Sequence, residues 1–350
     1  MNYVEPASVL AAGLDLPRPY LLFLGDTTEP GYAKTAFGLR DWAREACVGE
    51  HALPGATVST GLPALSLAEA KARGARSLVI GVANSGGAIS PTWRPSLHEA
   101  VRTGLHIVSG MHTRLSAVPG LAALADEHNV RLIEVRDPPP DLPIATGRKR
   151  LGKRLLTVGT DCALGKKYTA LALTRALRER GVAADFRATG QTGIMIAGSG
   201  IPMDAVVADF AGGAAEHLSP DATPDHWDVI EGQGSLFHPA YAGVSLALLH
   251  GSQPDVVIVC HETGRTSILG NPGYKLPSIE ETIALNLQLG ALTNPRIRCG
   301  GVSLNTSALS PEEADSLVAS ETDRLGLPVA DPLRGGDRLS RMIDGILAGA

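Results

Sequence analysis

One stretch of the sequence restricts the fold of this chain more than any other. Residues 155–158 are apolar and partly β-branched, which predicts a short buried strand. A turn that contains Gly159 and Gly165 follows, and residues 170–177 then show the pattern of a helix. Where a helix begins after such a turn, its first backbone N–H groups can bind an anion and its dipole favours negative charge. The stretch therefore predicts a strand, a turn and a helix that together bind a phosphorylated ligand.

The turn departs from the phosphate-binding pattern G-x-x-x-x-G-K-[ST] at two positions. Gly159 lies one residue too early, a spacing that resembles the G-T-D-x-x-x-G-K turn of enzymes of the dethiobiotin synthetase type. Lys167 stands where a Ser or Thr hydroxyl would hold Mg²⁺. A lysine cannot ligate a metal, but its charge can replace one. We therefore expect this turn to bind a phosphorylated ligand and to be poorly equipped for metal-assisted phosphoryl transfer.

Composition limits the class of protein. The chain has 350 residues, enough for about two domains, and its 40 Gly and 24 Pro with 4% aromatic residues indicate a turn-rich α/β protein. A net charge of −5 argues against nucleic acid as a partner. The four cysteines have neither disulfide-framework nor zinc-site spacing, which indicates a reducing, cytoplasmic location. The start of the chain does not resemble a signal peptide, and no apolar run approaches the roughly 20 residues that span a bilayer, so no membrane association is expected.

Apolar strands alternate with helical segments along the whole chain, which predicts parallel sheets with helices on both faces. The predicted strands include 20–25, 56–59, 77–82, 105–108 and 130–135, and then 155–158, 182–187, 227–231, 255–260, 297–305 and 327–330. Three consecutive prolines at 138–140 indicate a boundary. We predict a Rossmann-like α/β domain at 1–137, a Pro-rich and basic linker at 138–153, and a P-loop NTPase-like parallel α/β domain at 154–350. The basic run 148–154 is expected to be a solvated face of the linker rather than a surface that draws in an anionic ligand.

Polar residues follow several strands of the second domain, where ligands of such sheets collect. Glu231 could orient a nucleophile, hold a metal or take a proton, or it could only cap the next helix; glycines on both sides of Gln233 favour the close approach of a ligand. Asn305 could bind a base edge or form a turn. Arg265 could clamp a carboxylate or phosphate, or lie in a solvated loop. Gln191 is a further candidate at a strand end.

The first domain carries a second group of polar residues at strand ends. Asn84 and Ser85 begin a Gly-rich loop whose N–H groups could cradle an anion, although the loop could equally be a tight turn. His112 and Arg114 follow the next strand, and a lone His is more often structural. Lys34 lies beside them in the predicted fold. Polar loops on adjacent strand ends favour a small-molecule pocket.

With these residues in place, the whole chain resembles a P-loop family whose characterised members include D-glutamate N-acetyltransferases. The resemblance rests on the double-lysine turn 159–167 and is supported by 188–193, 231–235 and 34–38. It implies transfer of the acetyl group of acetyl-CoA to the amine of D-glutamate, with small-molecule substrates and no metal requirement, by an enzyme that we expect to be a homo-oligomer.

The chemistry of the residues agrees with that implication. Lys166 and Lys167 could neutralise the diphosphate of CoA without Mg²⁺. Attack of an amine on a thioester needs a base, for which Glu231 and His112 are the candidates, and donors that stabilise an oxyanion. The predicted cofactor-binding residues are Gly159, Thr160, Asp161, Cys162, Ala163, Leu164, Gly165, Lys166, Lys167, Tyr168 and Asn305. The predicted substrate-binding residues are Lys34, Asn84, Ser85, Arg114, Gln191 and Arg265. Two alternatives stay open: an ATP-dependent ligase or kinase of the dethiobiotin synthetase type, in which Thr169 replaces the missing hydroxyl, and a non-catalytic CoA or nucleotide sensor.

Overall fold

The structure is a computed structural model that describes residues 14–348. The chain divides into two units. The N-terminal unit contains residues 14–138 together with Gln191–Ala205, and the P-loop unit contains Pro139–Gly190 and residues 206–348. The sequence analysis had assigned 191–205 to the second domain, so this segment crosses the boundary drawn from composition alone.

The N-terminal unit is built on a five-stranded sheet in which every pair of neighbouring strands is parallel, in the order β2-β1-β3-β4-β5. Its strands are β1 (Tyr20–Gly25), β2 (Cys47–Ala52), β3 (Ser77–Ile80), β4 (His106–Ser109) and β5 (Leu132–Glu134), and its helices before the boundary are α1 (Lys34–Trp42), α2 (Leu67–Ala72), α3 (Arg94–Arg102) and α4 (Leu121–Glu127). All six residues of β1 are buried, as expected for the centre of a sheet covered on both faces.

The P-loop unit contains a six-stranded parallel sheet in the order β13-β12-β9-β6-β8-β7 and a small antiparallel hairpin, β10-β11. Its strands are β6 (Lys153–Gly159), β7 (Ala184–Arg187), β8 (Trp227–Ile230), β9 (Val256–Glu262), β10 (Ser267–Ile268), β11 (Asn271–Lys275), β12 (Arg298–Asn305) and β13 (Val329–Ala330). Its helices are α5 (Lys166–Glu179), α7 (Ala208–Leu218), α8 (Ala242–Ser252), α9 (Ile279–Gly290), α10 (Pro311–Leu325) and α11 (Gly336–Leu347), whereas α6 (Gln191–Ala197) belongs to the N-terminal unit. Both sheets confirm the predicted parallel α/β class. Within the described residues, no helix has both the length and the apolar character needed to cross a membrane.

The predicted strand at 56–59 is wrong. The second strand of the N-terminal sheet is β2, which the sequence hides because Glu50 and His51 interrupt its apolar pattern. Glu50 is nevertheless buried, since its carboxylate accepts hydrogen bonds from the Ser59 hydroxyl at 2.5 Å and the Thr60 amide at 2.6 Å. Residues 56–60 therefore form the loop that satisfies a buried carboxylate, which no local pattern predicts.

The basic run at 148–154 is only partly the solvated face that the sequence analysis expected: Arg148 is 67% exposed, but two other arginines of the run are buried. Arg150 and Arg154 are only 6% and 1% exposed. Burial lowers the pKa of the Arg150 guanidinium to about 10. The Arg154 guanidinium donates to the carbonyl oxygens of Arg150, Leu151, Gly152, Ser219 and Pro220. Each planar guanidinium thus satisfies several buried backbone acceptors that have no partner in the sheet.

Arg154→Ala is expected to lower the free energy of unfolding by about 3 kcal/mol, because it leaves several buried carbonyl groups without a donor. Arg148→Ala is the matched control, since that side chain is 67% exposed and pairs with Asp221 at the surface. Its loss should change stability by less than about 1 kcal/mol. Chemical denaturation of both variants measures the difference, and equal effects would contradict the structural role of Arg154.

Candidate active site

The phosphate-binding turn joins the end of β6 to the start of α5. Gly165, with a φ of +106°, immediately precedes the helix in the left-handed region that favours glycine. All ten predicted residues lie on this turn, at the end of β6 or in the first turn of α5: Gly159, Thr160, Asp161, Cys162, Ala163, Leu164, Gly165, Lys166, Lys167 and Tyr168. The first amides of α5 have no partner within the helix, so they can bind an anion.

A buried carboxylate and a buried lysine fix the shape of the turn. Asp161 is fully buried, and one of its oxygens accepts a hydrogen bond from the Cys162 amide at 2.6 Å. The Lys166 ammonium donates to the Asp161 carbonyl oxygen at 2.7 Å. Burial lowers the pKa of Lys166, and the neighbouring Cys162, Cys260 and Asp161 act in the opposite direction. The ammonium group is thus held at the turn before any ligand arrives.

Arg265 braces the same turn from the hairpin side. Its guanidinium donates to the Asp161 carboxylate at 2.9 Å and to the Cys162 carbonyl at 2.7 Å, and it also pairs with Glu262. The amide of Leu269, in the β10-β11 hairpin, donates to the same Asp161 oxygen at 2.7 Å. Arg265 therefore positions the turn; its predicted contact with substrate stays a prediction.

Glu231 lies at the end of β8, beside the turn. It is 5% exposed, and its carboxylate accepts hydrogen bonds from the amides of Thr189 at 3.0 Å and Gly190 at 3.1 Å. Burial raises the pKa of Glu231, while the positive charges of Lys167 and Lys166 and the two amides act in the opposite direction. A buried carboxyl with a raised pKa and two lysines nearby has the properties of a proton acceptor.

The glycine after Glu231 serves the fold of the turn. A Cβ on Gly232 would lie 1.6 Å from the Thr157 carbonyl oxygen of β6. The Gly232 amide donates to the Thr157 hydroxyl at 2.9 Å, and the Ser235 hydroxyl donates to the Thr160 carbonyl at 3.2 Å. The sequence analysis explained this glycine by the close approach of a ligand. In the structure, the backbone of β6 at Thr157 is what lies close to Gly232.

The Thr169 hydroxyl, which the ligase or kinase alternative needs as a metal ligand, already has a hydrogen-bond partner. Thr169 is 4% exposed, and its hydroxyl lies 2.8 Å from that of Ser303. Asp161, Cys162 and His238 place possible ligand atoms within 4.8 Å of one another. However, both Asp161 oxygens already accept hydrogen bonds, and His238 Nδ1 accepts one from the Ala240 amide at 3.1 Å. Neutral His238 therefore carries its proton on Nε2, which is a donor and not a metal ligand.

His238 is the buried residue near the turn that the sequence analysis missed. It is 3% exposed, and its ring centroid lies 4.5 Å from that of Tyr241. It follows the Glu-Gly-Gln-Gly-Ser motif by a few residues in a loop, where no periodicity indicates which side chains turn inwards. Asn305, at the end of β12, accepts a hydrogen bond from the Ser307 amide at 3.1 Å, which is the turn-forming alternative; its contact with a base stays a prediction.

The N-terminal unit brings the loops after β3 and β4 together. The amide of His112 donates to the Gly87 carbonyl at 2.9 Å, and a Cβ on Gly87 would lie 2.5 Å from the His112 ring. Asn84 donates to the Ala88 carbonyl at 2.9 Å, and its side-chain oxygen is buried without a hydrogen-bond partner among the described residues. The side chain of Ser85 lies outside the described part of the structure. This loop pair leaves one buried acceptor available to a ligand.

The other predicted substrate-binding residues of this unit differ in what they already contact. Lys34 is exposed at the start of α1. Gln191, at the start of α6, donates to Asp204 at 2.7 Å. Arg114 holds Asp137 bidentately at 2.7 and 3.0 Å on the surface. Glu231 and His112, the two candidate bases, belong to different units.

The chain is similar to two family models, to named relatives and to a solved structure. Residues 46–138 match a family model described as a domain of unknown function (DUF1611_N), Rossmann-like domain, and residues 143–340 match the DUF1611_C P-loop domain. A relative from Pseudoalteromonas sp, named D-glutamate N-acetyltransferase, is 50% identical over 323 residues, 92% of this chain and 97% of its own. One of the same name from Tritonibacter scottomollicae is 49% identical over 330 residues, 94% and 98% of the two chains. The crystal structure of a DUF1611 family protein from Anabaena variabilis has a TM-score of 0.84, with 32% identity over 95% of this chain and 100% of that one.

Glu231→Gln is expected to change how stability depends on pH. The unfolded chain releases this proton near the ordinary Glu pKa of 4.5, whereas burial keeps it on folded Glu231 to a higher pH. Above about pH 4.5 the folded state therefore binds more protons, and the free energy of unfolding of the wild type falls as pH rises. Because glutamine does not titrate, the variant should gain stability relative to the wild type over that window.

Urea denaturation at several pH values measures this difference. Glu179→Gln is the control, because that side chain is 69% exposed. Curves for the wild type and Glu231→Gln that run parallel across the pH range would show that Glu231 is not held protonated by burial.

Proposed function

We propose that this chain, which belongs to the DUF1611 family, is a D-glutamate N-acetyltransferase. Two relatives with that name are about half identical to it over more than nine tenths of its length. The chain contains both the Rossmann-like and the P-loop domain of the family. The reaction forms a bond between the substrate nitrogen and an acetyl carbon, and it breaks the bond between that carbon and the donor.

The donor in this proposal is acetyl-CoA, with its diphosphate on the turn 159–165. The start of α5 supports this assignment. Two consecutive lysines, Lys166 and Lys167, lie there, and Lys167 takes the position at which the phosphate-binding pattern has the Ser or Thr that holds Mg²⁺. Lys166 is already held at the turn by the Asp161 carbonyl, and the Thr169 hydroxyl is bonded to Ser303. A diphosphate diester carries less charge than ATP, so two lysines and the helix N-terminus can neutralise it.

The acceptor amine must lose a proton as it attacks the thioester. Glu231 is the candidate base, since burial raises its pKa towards the range in which a carboxylate accepts protons from a substrate. His112 is the second candidate. The amine nitrogen attacks the acetyl carbon, the carbon–sulfur bond breaks, and CoA leaves as a thiolate that takes up a proton.

The two carboxylates of D-glutamate need cationic or N–H partners. Lys34 is exposed and can provide one. Arg114 can provide another by exchanging Asp137 for the substrate, because a surface ion pair contributes little to stability. Asn84, Ser85, Gln191 and Arg265 complete the proposed substrate-binding set, and Asn84 offers a buried acceptor for the ammonium group.

Lys166→Ala is expected to raise the KM for acetyl-CoA by about tenfold or more, because it removes a charge-assisted contact to phosphate. The fold should persist, which a thermal melt checks. Release of free thiol with D-glutamate as acceptor measures the activity, and Lys71→Ala, in the other unit, is the control. Unchanged kinetics in Lys166→Ala would remove the turn from the donor site.

Lys167→Thr restores the hydroxyl of the phosphate-binding pattern. Without Mg²⁺ this variant should have a higher KM for acetyl-CoA than the wild type, because one positive charge is lost, and Mg²⁺ should lower that KM again. The wild type should respond little to Mg²⁺ or to a chelator. Wild-type activity that disappears with a chelator, or wild-type hydrolysis of ATP that needs Mg²⁺, would favour the ligase or kinase alternative.

A further inference from the structure

A cavity of about 630 Å³ lies in the P-loop unit between the N-terminal end of α9 and one face of α10. This volume falls in the range of about 300–1,000 Å³ that is typical of small-molecule sites. The floor of the cavity lies at the carboxyl ends of β9 and β12, which contribute His261 and Leu304.

The side chain of His261 lies between the cavity and the turn 159–165. The Thr160 hydroxyl, on the turn, lies 3.1 Å from Nδ1 of His261, which lines the cavity. A ligand whose diphosphate occupies the turn must place the group attached to that diphosphate within a few bonds of it. For CoA, one of the two attached groups is the adenosine.

The walls suit an uncharged planar ring. Leu304 and Ile279 are 2% and 5% exposed, and Leu317 of α10, which also lines the cavity, packs against the same buried apolar cluster. Burial lowers the pKa of His261, so the imidazole is neutral near pH 7 and can stack on or hydrogen-bond to a base. Apolar walls with a few polar groups are the usual lining of a nucleoside site.

The rim of the cavity is weakly acidic. Arg324 donates to Glu321 at 2.7 Å and is also paired with Glu280, so two carboxylates share one guanidinium. These three side chains together carry one net negative charge. Carboxylates accept hydrogen bonds from ribose hydroxyls and repel phosphate. The rim therefore favours a ribose with free hydroxyls over a ribose that carries a phosphate.

We propose that this cavity binds the adenosine of the acetyl donor, with the base between Ile279, Leu304 and Leu317 and the ribose hydroxyls at Glu280 and Glu321. The 3′-phosphate of CoA then lies outside the cavity and contributes little to binding. This inference rests on the proposed function for the identity of the donor. The cavity itself requires only a nucleoside joined to a diphosphate on the turn.

ADP is the probe that separates the two proposals, because it carries the adenosine and the diphosphate but no acyl group. Calorimetric titration of the wild type should detect ADP binding without Mg²⁺. Leu317→Trp places a larger ring at the apolar wall where the base would lie and should weaken that binding by about tenfold or more. Leu292→Trp is the matched control, since Leu292 is 73% exposed and lies outside the cavity; it should bind ADP like the wild type.

Hydrogen exchange of the wild type tests the site without a substitution, in case Leu317→Trp does not fold. ADP should protect residues 278–280 and 317–324 in addition to the turn. Protection confined to the turn, or equal affinity of ADP for the wild type and a folded Leu317→Trp, would overturn the assignment of the cavity. Both results are independent of whether the protein acetylates D-glutamate.

Kinetics then connect the cavity to the donor. In Leu317→Trp, kcat/KM should fall about tenfold for acetyl-CoA and stay unchanged for acetyl-pantetheine, which has no nucleotide. For the wild type, acetyl-CoA and its 3′-dephospho form should have KM values within about threefold of each other. An equal loss with both donors in the variant, or a dephospho donor that binds much more weakly, would overturn the proposal. A wild type that binds ADP but acetylates nothing with any of these donors would instead overturn the proposed function.

Discussion

The buried carboxylate of Asp161 is the interaction on which the phosphate-binding turn depends. Its two oxygens accept hydrogen bonds from the Cys162 amide, the Arg265 guanidinium and the Leu269 amide. A buried charge is costly unless it is paired and hydrogen-bonded, so these three donors hold the turn, the end of β9 and the hairpin in one arrangement. Because the turn is ordered by groups of the chain itself, its conformation does not depend on a ligand, and the Lys166 ammonium is held there by the Asp161 carbonyl.

The two sides of the turn differ in polarity: one carries charged groups and the other a mainly apolar cavity. On the β8 side, burial raises the pKa of Glu231 while two lysines lie near it, which favours a proton acceptor. On the β9 side, His261 is neutral and joins the turn to a mainly apolar cavity. A donor that lies across the turn would therefore meet cations and N–H groups at its diphosphate and apolar walls at its base. The same sheet edge supplies both, because every strand of this sheet ends there.

Positive charge in this chain has two separate uses. Lys166 and Lys167 lie at the turn, where they can face a ligand, whereas Arg150 and Arg154 are buried and satisfy backbone carbonyls. The sequence does not distinguish these uses, since both pairs stand in short basic runs next to β6. Burial alone does not distinguish them, because Lys166 and Arg150 are both 6% exposed; the difference lies in the side chain, since a guanidinium with five donors can replace water at several acceptors at once.

The sequence by itself determined the parallel α/β class, the strand, turn and helix around residues 159–165, and the position of Glu231 at a strand end, because each follows from a short pattern of apolar spacing and turn residues. The tertiary structure alone decided that Cys47–Ala52 forms the second strand, since Glu50 is buried only with the help of residues 59–60. It also decided that α6 joins the N-terminal unit and that Ala242–Ser252, whose apolar residues do not collect on one face, forms the helix α8. His238, Arg154 and the cavity beside α10 likewise depend on contacts between residues far apart in the chain. Such contacts satisfy buried polar groups through partners that no local pattern specifies.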